Sequence, residues 1–232
     1  KQHGRRFMPA RLRRAHGLLD HHEAARQKPQ ARVLLRVGFE LLPNARRDIE
    51  VLVDRRVGVA HNPVANMILG SGVCPLGRLS RAGIAVGLGV DGPASNDGQN
   101  MIETLKTAAL LQKVHHLDPR VIDAPTALGL ATIGGARALG MADAIGSIEA
   151  GKQADLVLLS GEAISTTAIH DPLQTLVYCL SGEEVRDVWI AGRRVVQSRT
   201  IPGIDLASVR SRARRLAGEL AAKSGLPSRL AG

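Results

Sequence analysis

The sequence predicts an α/β fold, in which parallel strands are followed by short antiparallel strands and a final helix. Two continuous apolar runs, VGVAHNP and IAVGLGVDG, flank a short helical segment. This strand–helix–strand order is typical of a parallel sheet that is covered on both faces. Further on, GSIEAGKQADLVLLS and VRDVWIAGRRVVQ are short runs with turn signals, and DLASVRSRARRLAGELAAK is a basic helix.

The first elements are predicted from Asp48 onward. The segment DIEVLVDRR has apolar residues at i, i+3 and i+4, which predicts an amphipathic helix. The strand that follows ends at Pro63, and we expect a long loop over 64–73. A short helix then begins near Pro75 and ends at Gly83, where glycine is favoured after a helix.

The next elements are a second buried strand and two helices. The strand covers 84–90 and stops at Asp91. Asn100 is expected to cap a helix, with Glu103 three residues later, as in a variant capping box. Another helix is predicted from Asp123 to Gly140.

Changes in pattern along the chain predict four regions. Residues 1–45 are rich in arginine and have no clear helix or strand period, so we interpret them as an unassigned basic arm, either disordered or encoded out of frame. Residues 46–142 carry the strand–helix pattern, 143–204 carry short strands with a hairpin about Ala191-Gly192, and 205–232 carry the final helix.

Composition excludes several classes of protein. With 44% hydrophobic residues among 232, the chain can bury a core, and with 2% aromatic residues that core must be aliphatic. Two distant cysteines exclude a disulfide framework and favour a reducing, cytoplasmic compartment. No apolar run reaches the roughly 20 residues of a spanning helix, and the first residues do not have the pattern of a signal peptide, so we expect a soluble protein without a membrane partner.

The net charge of +10 is carried by the two ends of the chain. Residues 1–57 have 14 Lys/Arg against 6 Asp/Glu, residues 58–204 have 11 against 13, and residues 205–232 have 6 against 2. A basic nucleic-acid binder is one interpretation, but the charged ends have almost no aromatic residues to stack on bases. We therefore do not favour a nucleic-acid partner.

Asp91 and His61 are the first candidates for chemistry, because each follows a predicted parallel strand. Ligands gather at the carboxyl ends of such strands. A carboxylate there could bind a divalent metal or accept a proton from a bound water. The alternative for Asp91 is an Asx turn or a helix cap, and residue spacing favours neither interpretation. His61 could equally form a hydrogen bond within its loop.

Other polar residues have simpler interpretations. Ser95, Asn96 and Asn100 could contact a polar heterocycle, but such residues are common in loops. We interpret His115-His116 as a helix end and His170-Asp171-Pro172 as a turn with a capping aspartate. Cys74 is predicted to be a buried thiol.

Four motifs follow one another along the chain: VGVAHNPVANMILGSGVCPL, GLGVDGPASNDGQNMIETLKTAALLQK, TALGLATIGGARALG and GSIEAGKQADLVLL. Together and in this order they resemble the amidohydrolase superfamily, in particular its deaminases and chlorohydrolases of nitrogen heterocycles. The resemblance runs from about residue 46 to the end. It implies a (β/α)8 barrel with a small β-sandwich, of which this chain would hold an incomplete barrel, a sandwich segment and the final helix.

The resemblance also implies residue roles. Asp91 matches the strand-eight aspartate, which in that family binds the metal and accepts a proton from the attacking water. His61 and Asn66 match an HNP-x-x-N element beside the substrate, and Ser95 and Asn96 are further candidates for substrate binding. The implied reaction is hydrolytic deamination of an amino-substituted purine or triazine with zinc, or else iron.

Most of the family's metal ligands have no counterpart here. The chain has no H-x-H pair, and GFELLPNARRD stands where the strand-six histidine is expected. We therefore interpret the chain as the C-terminal fragment of such an enzyme, inactive alone, which associates with itself or with a complementing N-terminal half. The alternative is a non-catalytic interaction protein derived from the same family.

Overall fold

The structure is a computed structural model that describes residues 32–35 and 45–225. The first half of this part alternates strands and helices: β1 (Arg32–Leu35), α1 (Ala45–Asp54), β2 (Val57–His61), α2 (Pro63–Ile68), α3 (Leu76–Arg81), β3 (Val86–Leu88), α4 (Met101–His116), α5 (Ala124–Ala131) and α6 (Ile133–Ala138). The second half comprises β4 (Leu156–Leu159), a short 3₁₀ helix (Ile164–Thr166), α7 (Pro172–Tyr178), β5 (Val185–Ile190), β6 (Arg193–Val196) and α8 (Leu206–Ser224).

The described strands form two sheets of three strands each. The first has the order β1-β2-β3 and is parallel throughout, with Leu34 opposite Val59 and Val59 opposite Val86. The second has the order β4-β5-β6 and is antiparallel. The α/β fold class expected from the sequence is therefore confirmed.

The hydrophobic core between the parallel sheet and its helices is made mainly of aliphatic side chains. Val59 and Leu79 are fully buried, Leu105 is buried on α4, and Val177 is buried on α7. Small side chains complete this core, among them those of Ala109, Ala124 and Ala127. The expected aliphatic core is thus confirmed.

Glycines let α6 approach the parallel sheet closely. A Cβ built on Gly58 in β2 would lie 2.4 Å from the carbonyl oxygen of Ala138. One built on Gly87 in β3 would lie 2.5 Å from the Cα of Gly135. Both distances are far below ordinary contact, so backbone packs on backbone here and only glycine fits.

Four local predictions differ from the structure. The segment expected to be a loop over 64–73 begins with α2, which has Pro63 in its first turn, where proline is favoured. The helix predicted from Asp123 to Gly140 is broken at Thr132, whose ψ of −100° is not helical. The strand predicted to reach Asp91 ends at Leu88. In addition, β1 lies within the segment 1–45 that the sequence left unassigned.

Other predictions are confirmed. Asn100 caps α4, because its Oδ1 accepts hydrogen bonds from the backbone nitrogens of Ile102 and Glu103 at 3.0 and 3.3 Å. The hairpin turns at Ala191-Gly192, where both residues have positive φ, as the favoured two-residue hairpin turn requires. No helix in the described part of the chain is both long and apolar enough to cross a membrane.

A candidate site at the carboxyl edge of the parallel sheet

Parallel pairing places the ends of β2 and β3 at the same edge of the sheet. His61 is the last residue of β2 and is paired with Leu88, the last residue of β3. The backbone nitrogen of Gly89 donates to the carbonyl oxygen of His61 at 2.9 Å, which extends the ladder by one residue. The segment that leads to Asp91 therefore starts directly beside His61.

Asp91 itself lies in a turn and has an unusual backbone. Its φ of 60° is in the left-handed region, which is uncommon for a residue with a side chain and is tolerated best by Asp and Asn. Its carboxylate oxygen Oδ2 accepts a hydrogen bond from the Ser95 hydroxyl at 2.7 Å. The Asp91 side chain is exposed, so it is accessible to a ligand from solvent.

Asn96 holds this turn together. Its Nδ2 donates to the Val90 carbonyl oxygen at 2.8 Å, and its Oδ1 accepts from the Gly98 nitrogen at 3.2 Å. The side chain is buried, with 2% of its residue surface exposed. These bonds tie the backbone before and after Asp91 together, so they stabilise the turn that carries its carboxylate.

The Ser95 and Asn96 side chains, predicted to contact a substrate, thus bond within the turn that carries Asp91. Ser95 is half-buried, and its hydroxyl contacts the Gly92 carbonyl oxygen at 3.1 Å as well as Asp91. A contact of either side chain with a substrate stays a prediction.

His61 is buried, and its ring nitrogens are without hydrogen-bond partners among the described residues. Only 2% of its surface is exposed. Burial lowers the pKa of His61 to about 4, because desolvation penalises the charged ring. The imidazole is therefore neutral at pH 7, with one donor and one acceptor still to be satisfied.

Two asparagines complete this edge of the sheet. Asn66 on α2 is buried, and its backbone carbonyl oxygen accepts a hydrogen bond from the Ser71 nitrogen at 2.8 Å. Asn62, which the sequence reasoning did not single out, is also buried. A Cβ built on Gly89 would lie 2.3 Å from the Asn62 Oδ1, so the glycine leaves the space that the amide occupies. The Asn-Pro pair before a helix could have indicated Asn62.

Cys74 has no chemical role in this arrangement. It is 1% exposed, and burial raises the pKa of its thiol to about 12, so the reactive thiolate is nearly absent at pH 7. Its carbonyl oxygen accepts from the buried Gln112 amide at 2.7 Å, which joins α4 to the segment before α3. The expectation of a buried thiol is confirmed.

The described residues do not form a complete metal site. No group of three or more His, Cys, Asp or Glu side chains within 32–35 and 45–225 could hold an ion together. A catalytic zinc ion is usually held by three protein ligands. Asp91 can provide one of them, and the buried, neutral His61 does not join it in such a group.

The sequence profile of the Amidohydrolase family matches residues 12–195 of this chain. A 5-methylthioadenosine/S-adenosylhomocysteine deaminase from Desulforudis audaxviator is 44% identical over 173 residues, which are 75% of this chain and 40% of that protein. The deaminase of the same name from Teredinibacter turnerae is 38% identical over 176 residues, again covering 40% of its length.

Two solved structures with a similar fold were determined with zinc bound. An adenosine deaminase from Xanthomonas campestris with bound zinc superposes with a TM-score of 0.75 and 39% identity, over 82% of this chain and 42% of that one. An atrazine chlorohydrolase from Arthrobacter aurescens, complexed with zinc, superposes with a TM-score of 0.70 and 28% identity, over 79% and 40%. This chain therefore spans about 40% of the length of the proteins it matches.

Proposed function

The chain belongs to the Amidohydrolase family, and we propose that it forms part of a metal-dependent hydrolase that acts on C–N bonds other than peptide bonds. The proposed reaction is hydrolytic deamination of an amino-substituted purine or triazine, in which water replaces the amino group and ammonia leaves. The observation that carries this proposal is Asp91, a carboxylate that accepts a hydrogen bond from Ser95 and lies just after a strand end at the carboxyl edge of the parallel sheet, in a chain with this family's sequence.

We propose further that the remaining metal ligands come from outside the described residues. The described part provides one carboxylate at this edge and no group of three ligands, so it does not fit a divalent metal by itself. Zinc is the metal we favour, because the solved relatives were crystallised with it. Iron remains the alternative.

Two observations support a role as the C-terminal part of a larger enzyme. Among the described residues the parallel sheet has three strands, whereas a closed barrel leaves no strand edge unpaired. The buried His61 ring has two unsatisfied nitrogens, which is costly unless another group reaches them. A complementing N-terminal half would cover the sheet edge and could bring polar groups to His61.

Complementation tests this function. The chain would be co-expressed with the part of the Desulforudis audaxviator deaminase that it does not cover, and ammonia would be measured with 5′-methylthioadenosine, adenosine or an aminotriazine. We expect ammonia from the pair and none from the chain alone. Asp91→Asn should abolish the activity of the pair, because the amide cannot replace the carboxylate as ligand and base.

Asp97→Asn is the matched control, because Asp97 is also exposed and lies in the same turn. It should leave ammonia release unchanged. An Asp91→Asn pair as active as the unsubstituted pair, or a soluble pair without activity on any of these substrates, would contradict the proposal.

A non-catalytic interaction protein is the second candidate, and the exposed apolar residues of α8 favour it. In that case the chain would associate with a partner, and no complementing half would restore ammonia release. The two candidates therefore give opposite results in the complementation assay.

A further inference from the structure

The final helix, α8, is exposed on every side in the described structure. None of its 19 residues is buried, and four large apolar side chains are in contact with solvent: those of Leu206, Val209, Leu216 and Leu220, which are 38%, 53%, 41% and 66% exposed. Most of the stability of a helix in a protein comes from the packing of its apolar face. An apolar partner surface would stabilise α8.

The four large apolar residues of α8, together with Ala213, follow the repeat of a helix pair. They lie at 206, 209, 213, 216 and 220, so steps of three and four alternate, and Ala213 occupies the middle position. We refer to these five residues as the α8 seam. A repeat of 3.5 residues is the pattern that packs against a second helix.

A membrane surface fits the α8 seam less well. Helices that lie in a membrane interface have a broad apolar face, often with Trp or Phe. The seam is narrow, α8 has no aromatic residue, and Arg212 is directly next to Ala213. The partner is therefore expected to be a helix.

We propose that α8 pairs in antiparallel orientation with α8 of a second copy of this chain. In that orientation Ala213 of one copy faces Leu216 of the other, and Val209 faces Leu220. The small Ala213 then faces the large Leu216, which fills the space between the helices at the centre of the seam, and Leu206 faces Lys223 of the second copy. A parallel pair would instead put Ala213 opposite Ala213, leaving a gap, and Lys223 opposite Lys223, where like charges repel.

Charges beside the seam also select the antiparallel pair. Arg212 of each copy lies beside Glu219 of the second copy, which gives two opposite-charge pairs by symmetry. Glu219 also pairs with Arg215 in its own helix, and a carboxylate has room for both donors. The two helix dipoles oppose each other in this arrangement.

In a parallel pair the opposite charges that could meet are Asp205 of one copy and Arg210 of the other, but Asp205 already caps its own helix. Its Oδ1 caps α8 by accepting from the backbone nitrogens of Ala207 and Ser208 at 3.0 and 3.3 Å. Turning this carboxylate toward a second copy would cost the cap. The parallel orientation is therefore disfavoured on both packing and charge.

Sedimentation velocity of the full 232-residue chain tests the pairing, over roughly 1–200 µM because so short a seam gives a weak dimer. We expect a concentration-dependent dimer. Leu216→Asp should abolish it without unfolding the protein, since Leu216 is exposed. Arg212→Glu should raise the dissociation constant by roughly tenfold, because two attractive pairs become repulsive.

The charge swap distinguishes this pairing from other associations. Combining Arg212→Glu with Glu219→Arg should restore the dimer, because residues 212 and 219 of the two copies then again carry opposite charges. Arg214→Glu changes the net charge equally but lies away from the seam, so it should have little effect. A monomer at all concentrations, a dimer that survives Leu216→Asp, or equal effects of Arg212→Glu and Arg214→Glu would each overturn the proposal, which does not depend on the proposed activity.

Discussion

Replacing Gly87 with alanine should destabilise the protein strongly, because β3 and α6 meet there backbone to backbone. The new Cβ would lie 2.5 Å from the Cα of Gly135, whereas ordinary contact begins at 3.4 Å. The difference of about 0.9 Å must come from a shift of α6, since a backbone atom cannot rotate away. Overpacking typically costs about 1–3 kcal/mol, and we expect a value near the upper end, about 3 kcal/mol.

Gly129→Ala is the matched control for this substitution. Gly129 lies within α5, and nothing lies within 4 Å of a Cβ built on it. Alanine should therefore stabilise the helix by about 0.5–1 kcal/mol, because it restricts the unfolded chain.

Urea unfolding followed by circular dichroism measures both effects. With a slope of about 2–3 kcal/mol/M, a difference of about 4 kcal/mol separates the midpoints of the two variants by about 1.5 M. If the Gly87→Ala and Gly129→Ala proteins unfold at the same urea concentration, α6 does not pack against β3 as closely as the structure shows.

Three further predictions concern His61, Asn100 and the two cysteines. The pKa of His61 is lowered from 6.5 to about 4, so between these pH values the unfolded chain binds a proton that the folded chain does not. The free energy of unfolding should therefore fall by about 3 kcal/mol as the pH falls from 6.5 to 4. His61→Gln should remove this part of the pH dependence, measured by urea unfolding. Asn100→Ala should lower the free energy of unfolding by about 2 kcal/mol, because it removes the α4 cap and the hydrogen bond from Nδ2 to the Ser181 carbonyl oxygen at 2.6 Å. Asn100→Asp should recover the cap alone. An Asn100→Ala protein as stable as the parent would argue against both bonds. Ellman's reagent should label Cys179 quickly and Cys74 only in denaturant, because Cys179 is exposed and Cys74 is buried; rapid labelling of both thiols would contradict the burial of Cys74.

Long elements with a clear period or cap were predictable from the sequence. α4 is predicted from the capping residue Asn100 followed by many helical turns, and α8 is predicted from its long basic helical run. The β5–β6 hairpin is predicted because a Gly-containing turn separates two runs of β-formers. In these segments the local sequence favours the structure that forms.

Several short elements were not predicted from the sequence, because they are defined by packing, whereas the six-residue α3 was predicted from the proline before it and the glycine after it. α2 and α7 have six and seven residues, which is too few for a helical period to stand out. β1 has four residues and is a strand because it pairs with β2. The break at Thr132 lets α6 lie against β3. No residue at that position is of a type that typically ends a helix.

The candidate site was predictable in position but not in its contacts. The ends of two parallel strands located His61 and Asp91. The bond from Ser95 to Asp91 and the two bonds of Asn96 depend on the left-handed backbone at Asp91, which spacing does not reveal. The sequence could not indicate the burial of His61 either, because a histidine before Asn-Pro is equally compatible with an exposed loop.

Zinc binding by the purified 232-residue chain tests the central claim most directly. Metal content would be measured by mass spectrometry and affinity by titration against a chelator, first for the chain alone and then with the complementing half of a relative. We predict much less than one zinc per chain alone and one tightly held zinc in the complemented pair, because Asp91 supplies only part of a ligand set. One tightly bound zinc in the chain alone, together with release of ammonia, would contradict the account.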